Sequence, residues 1–249
     1  MNIGLKKNVK DILSVFAIYM LGFLVIILAL KYGHLPPQAL VFFATFYLFF
    51  LAGQIIFKER QNAKTISIVP AFLLSSGWIV FPSLITKDIT GIFVAFAALT
   101  LVWEMKLTFR QTLLIALGMT AFDVTNVYFT GLMMHLIEQL QIGTTPLTLS
   151  VTPEIGEHIK ITMIGLGDII FPGSLIIYAY RTAKQYAKNS LWICSLFGYF
   201  VGLLITIIMV NFFGSQPATL FLYPGVFLGF WLALVWNHIP LTLLFKNEV

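Results

Sequence analysis

A chain of 249 residues that is 59% hydrophobic and 10% charged, with a mean hydropathy of +0.93, lies far from a soluble domain, where about a quarter of residues are charged. Its formal charge of +5 does not point to nucleic acid, because Lys and Arg stand in ones to threes between apolar runs, as topology determinants do. A single cysteine, Cys194, excludes an intrachain disulfide. The composition predicts an all-α polytopic membrane protein forming one transmembrane domain over 1–249, with N-terminal helices in 1–106 and a second half in 107–249.

A bilayer span takes about 20 apolar residues. Eight runs qualify in chain order: 12–31, 37–57, 66–85, 89–105, 110–137, 159–181, 190–213 and 219–244. The first follows Lys6, Lys7 and Lys10 but is too long for a signal-peptide core and lacks a small-residue cleavage site, so it reads as a retained helix. The fourth is the shortest, bracketed by Lys87-Asp88 and Glu104-Met105-Lys106, where Glu104 and Lys106 read as a snorkelling pair. Between the fifth and sixth lies the one long connection, from Gln139 to His158. Its core from Thr144 to Pro153 alternates apolar and hydroxyl residues between two prolines, which predicts a short extended strand. In the last run, Asn237, His238 and Pro240 predict a kink.

Eight spans with the N-terminus inside put Lys6, Lys7, Lys10, Lys58, Arg60, Lys64, Lys106, Arg110, Arg181, Lys184, Lys188 and Lys246 on the cytoplasmic side, leaving Lys31, Lys87 and Lys160 outside. That bias places both termini in the cytoplasm.

Two acids stand deep in apolar runs. Asp123 lies thirteen residues after Arg110 and Asp168 thirteen residues before Arg181. At about 1.5 Å per residue each sits roughly 20 Å from its basic anchor, so antiparallel neighbours hold the acids at matching depth. An ionised acid at bilayer depth costs at least a few kcal/mol, which marks both as functional candidates. Gly165 and Gly167 just before Asp168 read in two ways: room for a substrate backbone or small-residue helix packing. For Gly198-x-x-x-Gly202 and Gly225-x-x-x-Gly229 packing is the preferred reading.

Gly165-Leu166-Gly167-Asp168, followed by Pro172-Gly173, resembles the GxGD motif of presenilins and signal peptide peptidases. Phe122-Asp123 resembles the Tyr-Asp of the preceding active-site helix, with Phe for Tyr. Pro217-Ala218-Thr219 resembles the Pro-Ala-Leu motif that opens the last helix, with Thr for Leu. The three appear in family order over about 110–245; the family has nine spans where eight are read here.

The resemblance implies an intramembrane aspartyl protease with Asp123 and Asp168 as catalytic pair. It makes Gly165, Leu166, Gly167, Pro217, Ala218 and Thr219 the residues that bind substrate or shape the site. It implies transmembrane-helix substrates or remnant signal peptides as partners in a lipid bilayer, and no cofactor beyond water. It also separates two orientations: presenilins place the loop between the aspartate helices in the cytoplasm, and signal peptide peptidases place it on the opposite side, as the charge bias places it here. Oligomerisation is compatible with the sequence, and no metal is expected from His135 and His158, which read as solvated interfacial histidines. Asn126, three residues after Asp123, shares its helix face. The alternatives are a proton-coupled transporter using the same acid pair, which would carry an internal repeat that is not seen, and a prepilin-peptidase-like GxGD protease, whose Lys-containing continuation and cysteine cluster are absent.

Overall fold

The computed structural model describes residues 37–130, 146, 148–150, 163–214 and 216–242; the expected first span, 12–31, lies outside them. Seven α-helices follow in order: α1 Pro37–Ile56, α2 Ala63–Val80, α3 Leu84–Glu104, α4 Phe109–Val124, α5 Leu166–Tyr186, α6 Ser190–Phe213 and α7 Thr219–Trp236. A π-helical turn, Thr125–Thr130, continues α4. Two short strands, β1 Thr148–Ser150 and β2 Met163–Gly165, pair antiparallel with Thr148 opposite Gly165 and Ser150 opposite Met163.

Six helices among the described residues are long and apolar enough to cross a membrane: α1, α2, α3, α4 with its π continuation, α6 and α7. Their outward faces carry bulky apolar side chains such as Phe43, Phe96, Phe197 and Trp236, the surface a bilayer covers. The seventh helix, α5, has 21 residues and carries Asp168, Arg181 and Lys184.

Local chemistry sets the boundaries. The helix α3 begins at Leu84, not after Lys87-Asp88 as expected. Ser83 Oγ accepts the Thr86 N–H at 3.1 Å while Thr86 Oγ1 accepts the Ser83 N–H at 3.1 Å, a reciprocal cap that starts the helix before the charges. Thr108 and Gln111 cap α4 in the same way. At the other end of α3, Glu104 pairs with Lys58 at 3.4 Å, so the acid reaches the segment after α1 and not the Lys106 beside it in sequence.

The last helix ends where a kink was expected. Asn237 turns its side-chain amide onto the Ala233 carbonyl at 2.7 Å and onto Ser190 Oγ at 2.8 Å. His238 then takes a left-handed φ of 55°, with its N–H on Val235 and that of Ile239 on Leu234, and the carbonyls left at the helix end are satisfied by this turn.

Two cores hold the helices. One gathers Phe109, Leu175, Ala179, Val226 and Phe230 from α4, α5 and α7 with Leu191 of α6. The other joins Phe49, Ala52, Ala71, Val94 and Ala97 of α1 to α3 with Leu166 at the start of α5. Thus α5 belongs to both. Gly173, inside α5, lets α3 approach: a Cβ there would stand 2.7 Å from Leu99 Cδ2.

The closest packing is between α6 and α7. A Cβ on Gly198 would lie 2.0 Å from the Gly225 carbonyl oxygen, and one on Gly229 2.1 Å from that of Cys194. The two GxxxG pairs therefore face each other backbone to backbone, as small-residue membrane interfaces do.

Candidate active site

Asp168 lies in the first turn of α5, whereas the apolar run 159–181 predicted a helix on both sides of it. The physical reason lies in the two glycines. Gly165 is extended at φ −64° and ψ 143°, the last residue of β2 and the N-cap of α5, where its lack of side chain costs a helix nothing. Its N–H donates to the Asp168 carboxylate, which reaches back one turn to the cap. An acid in the first turn also lies at the positive end of the helix dipole.

Gly165 and Gly167 do not serve a helix–helix contact among the described residues. A Cβ on Gly165 would meet Asp168 Oδ2 at 3.2 Å, and one on Gly167 would meet the Phe171 ring at 3.5 Å. Leu166 between them is buried at 5% exposure in the core with α1 and α3. The first glycine thus keeps clear the space over the carboxylate, while the leucine anchors the turn.

Asp123 projects from the last turn of α4 and is half-buried. The chain comes back to it 96 residues later: Thr219 donates its hydroxyl to Asp123 Oδ2 at 2.7 Å and its backbone N–H to the same oxygen at 3.3 Å. Thr219 is the first residue of α7, and its N–H is one of those a helix start leaves without an intrahelical acceptor. Asp123 supplies that acceptor from another helix, again at a positive helix end. Pro217 and Thr219 are buried, the latter 3% exposed, and Ala218 is the N-cap. Asp123 and Asp168 lie close enough to interact electrostatically. The structure therefore brings together Asp123, Asp168, Gly165 and Thr219 from three parts of the chain.

Sequence reasoning passed over two residues. Tyr199 of α6 donates its hydroxyl to the Asp168 carbonyl oxygen at 3.4 Å. Pro172 stands four residues after Asp168 inside α5, and having no N–H it leaves that carbonyl without its helical donor. The Asp-x-x-x-Pro spacing was the available signal. Tyr128, in the π-helical turn beyond Asp123, bonds Gln216 just before Pro217, a second tie between α4 and the loop entering α7. The side chain of Asn126, and His135, His158, Glu138, Glu154 and Glu157, fall outside the described residues.

At the opposite end of α5, Arg181 lies 4.9 Å from the Trp103 ring centroid and Lys184 5.1 Å from that of Tyr180, with Trp192 packed on Tyr180. Aromatic and basic side chains of this kind gather at a membrane–water interface.

The signal peptide peptidase family model matches residues 13–248. The chain belongs to the signal peptide peptidase family. Signal peptide peptidase-like 2A of Mus musculus is 30% identical over 158 residues, 56% of this chain and 30% of that protein. Intramembrane protease 2 of Caenorhabditis elegans is 27% identical over 177 residues, 63% of this chain and 36% of that protein. The chain thus spans about a third of the length of these curated relatives. A solved presenilin-family intramembrane aspartate protease superposes with a TM-score of 0.63 at 19% identity, over 90% of this chain and 83% of the other. The polytopic helical fold is shared with it.

Proposed function

We propose that this member of the signal peptide peptidase family is an intramembrane aspartyl endopeptidase, with Asp123 and Asp168 as its catalytic pair. What supports the reading is that the two acids embedded in apolar sequence interact electrostatically, each beside the start of a helix: Asp168 within α5, Asp123 against Thr219 of α7. Family membership supports the same chemistry.

Two neighbouring carboxylates in a site of low dielectric share one proton. The ionised member accepts a proton from water as the water oxygen bonds to the scissile carbonyl carbon, and the protonated member gives its proton to the carbonyl oxygen. Collapse of the tetrahedral diol breaks the C–N bond, and the proton taken from water passes to the leaving amine.

The substrates are single transmembrane helices or remnant signal peptides in the bilayer. A helical substrate hides its scissile amide in an internal hydrogen bond and has to unwind first. The sheet of β1 and β2 ends one turn before Asp168, and β2, at the edge of this two-stranded sheet, runs directly into α5. An unwound substrate strand added to that edge would be delivered to the carboxylates. Residues 1–249 act as one transmembrane domain in which 107–249 carries the site, an arrangement supported by the sharing of α5 between both cores.

The test is the full chain in liposomes with a single-span peptide, its fragments identified by mass spectrometry. Asp123→Asn and Asp168→Asn should each abolish cleavage while the protein stays folded, since removing one carboxylate also relieves repulsion. Near-wild-type cleavage by either variant would end the dyad reading.

A further inference from the structure

We infer that Thr219, which stands where the family resemblance calls for leucine, is a positioning residue that commits Asp123 to work through its other oxygen, Oδ1. The inference rests on the dyad reading above and goes down to a single side-chain oxygen. Asp123 Oδ2 accepts two donors from one residue, the Thr219 hydroxyl at 2.7 Å and the Thr219 N–H at 3.3 Å. No other described residue hydrogen-bonds the carboxylate.

An oxygen facing two donors is a poor place for a proton, because a proton there would point at one of them. Oδ2 is therefore held as an acceptor, and both the dyad's proton and the water fall to Oδ1 and to Asp168. The hydroxyl also fixes the carboxylate's rotation. The N–H of any residue at the helix start restrains Oδ2 along one direction, and the second donor from Thr219 Oγ1 removes the remaining freedom about the terminal torsion, which is broad for an unrestrained aspartate. Leucine supplies the N–H and no hydroxyl, so this second restraint belongs to this chain. With Thr219 buried at 3% exposure, water does not readily replace the lost donor.

Other groups near the pair do not take over this role. Tyr199 binds the Asp168 backbone carbonyl, and the Gly165 N–H binds the Asp168 carboxylate; neither hydrogen-bonds Asp123. Tyr128 is engaged with Gln216.

The test compares Thr219→Val, which keeps the shape and deletes the hydroxyl, with Thr219→Ser, which keeps the hydroxyl and deletes the methyl, in the full chain in liposomes. A hydrogen bond to a charged group corresponds to a loss of about 10- to 100-fold in kcat for Thr219→Val. KM should stay within about twofold, since the restraint acts on the reacting geometry and not on substrate binding, and Thr219→Ser should keep kcat within about threefold of wild type. Thr219→Ala serves as a second hydroxyl-free variant should the valine chain not fold, and thermal unfolding in detergent reports on that.

A wild-type kcat in Thr219→Val, a loss in Thr219→Ser equal to that in Thr219→Val, or a change confined to KM overturns the assignment. Run beside Asp123→Asn and Asp168→Asn, the outcomes separate. Inactive Asn variants with a fully active Thr219→Val remove only the role of Thr219, whereas active Asn variants remove the dyad and this inference with it.

Discussion

Thr148 stands opposite Gly165 in the antiparallel pair of β1 and β2, and Gly165 in turn lies under the Asp168 carboxylate, whose Oδ2 is 3.2 Å from the position its Cβ would take. Strand pairing therefore places the glycine, and the glycine leaves room for the acid. The two glycines of the motif are unequal in this respect. Gly165→Ala needs no unusual backbone, but its methyl group must displace the carboxylate by a few tenths of an ångström. A misplacement of about 1 Å costs about 10²-fold in rate, so a loss of roughly tenfold in kcat is expected. Gly167→Ala brings only an ordinary contact with Phe171 at 3.5 Å and adds about 1 kcal/mol of helix propensity, so it should cleave at close to the wild-type rate and unfold at a higher temperature. Equal effects at the two positions, measured by cleavage and thermal unfolding together, would contradict this division.

The helices themselves were legible because a bilayer demands long apolar runs, and the GxxxG pairs because backbone approach needs missing side chains. The strand at Thr148–Ser150 showed as alternation between Pro146 and Pro153. The start of α5 did not show, because an apolar run is equally compatible with strand and buried helix; only Gly165 and Gly167, poor helix residues, marked the break before Asp168. The break after Trp236 showed in Asn237, His238 and Pro240, where a kink was expected, but the bond of Asn237 to Ser190 on another helix did not, because it spans 47 residues. The contact of Thr219 with Asp123 spans 96 residues, and no local pattern encodes it.

The backbone contact between α6 and α7 predicts a stability effect separate from the chemistry. Gly198→Ala and Gly229→Ala each place a methyl group within about 2 Å of a carbonyl oxygen on the facing helix, at 2.0 Å and 2.1 Å. The helices must move apart, and overpacking of this kind costs about 1–3 kcal/mol. Thermal unfolding in detergent should fall for both. Gly77→Ala, with nothing within 4 Å of its Cβ position, serves as the control and should not destabilise. Unchanged unfolding temperatures in the Gly198 and Gly229 variants would mean that the two helices do not pack as closely as described.

A site built for the tetrahedral diol should bind its mimic more tightly than substrate. A single-span peptide carrying a hydroxyl in place of the scissile carbonyl is therefore expected to inhibit cleavage and to raise the unfolding temperature by linkage. Both effects should shrink in Asp123→Asn and Asp168→Asn. If the mimic does not bind while a proton gradient drives solute uptake into liposomes, the acid pair serves transport and not hydrolysis.

Substrate direction follows from the placement of basic residues. We propose that the charge bias read from the sequence, twelve Lys and Arg assigned to one side against three to the other, runs the Asp123 helix outward and the Asp168 helix inward, with the β1 segment outside. The contact of Lys58 with Glu104 joins two segments the charge bias assigns to the cytoplasm, and the Arg181, Trp103 and Tyr180 cluster lies at that same end of α5. This is the orientation that the family resemblance gives to signal peptide peptidases and reverses in presenilins. A protein site is chiral, so inverting the catalytic pair about the membrane plane inverts the substrate direction it accepts. The chain should prefer spans with their N-terminus in the cytoplasm. Cysteine labelling checks the premise in a Cys194→Ser background. Thr148 is buried at 7% exposure and is a poor site, whereas Pro82 and Lys188 are exposed. Pro82→Cys should react with an impermeant reagent from outside and Lys188→Cys only after the membrane is opened. Reversed labelling would overturn the orientation. Correct labelling with faster cleavage of substrates reconstituted in the opposite direction would leave the orientation standing and remove the link between the handedness of the site and the direction of its substrate.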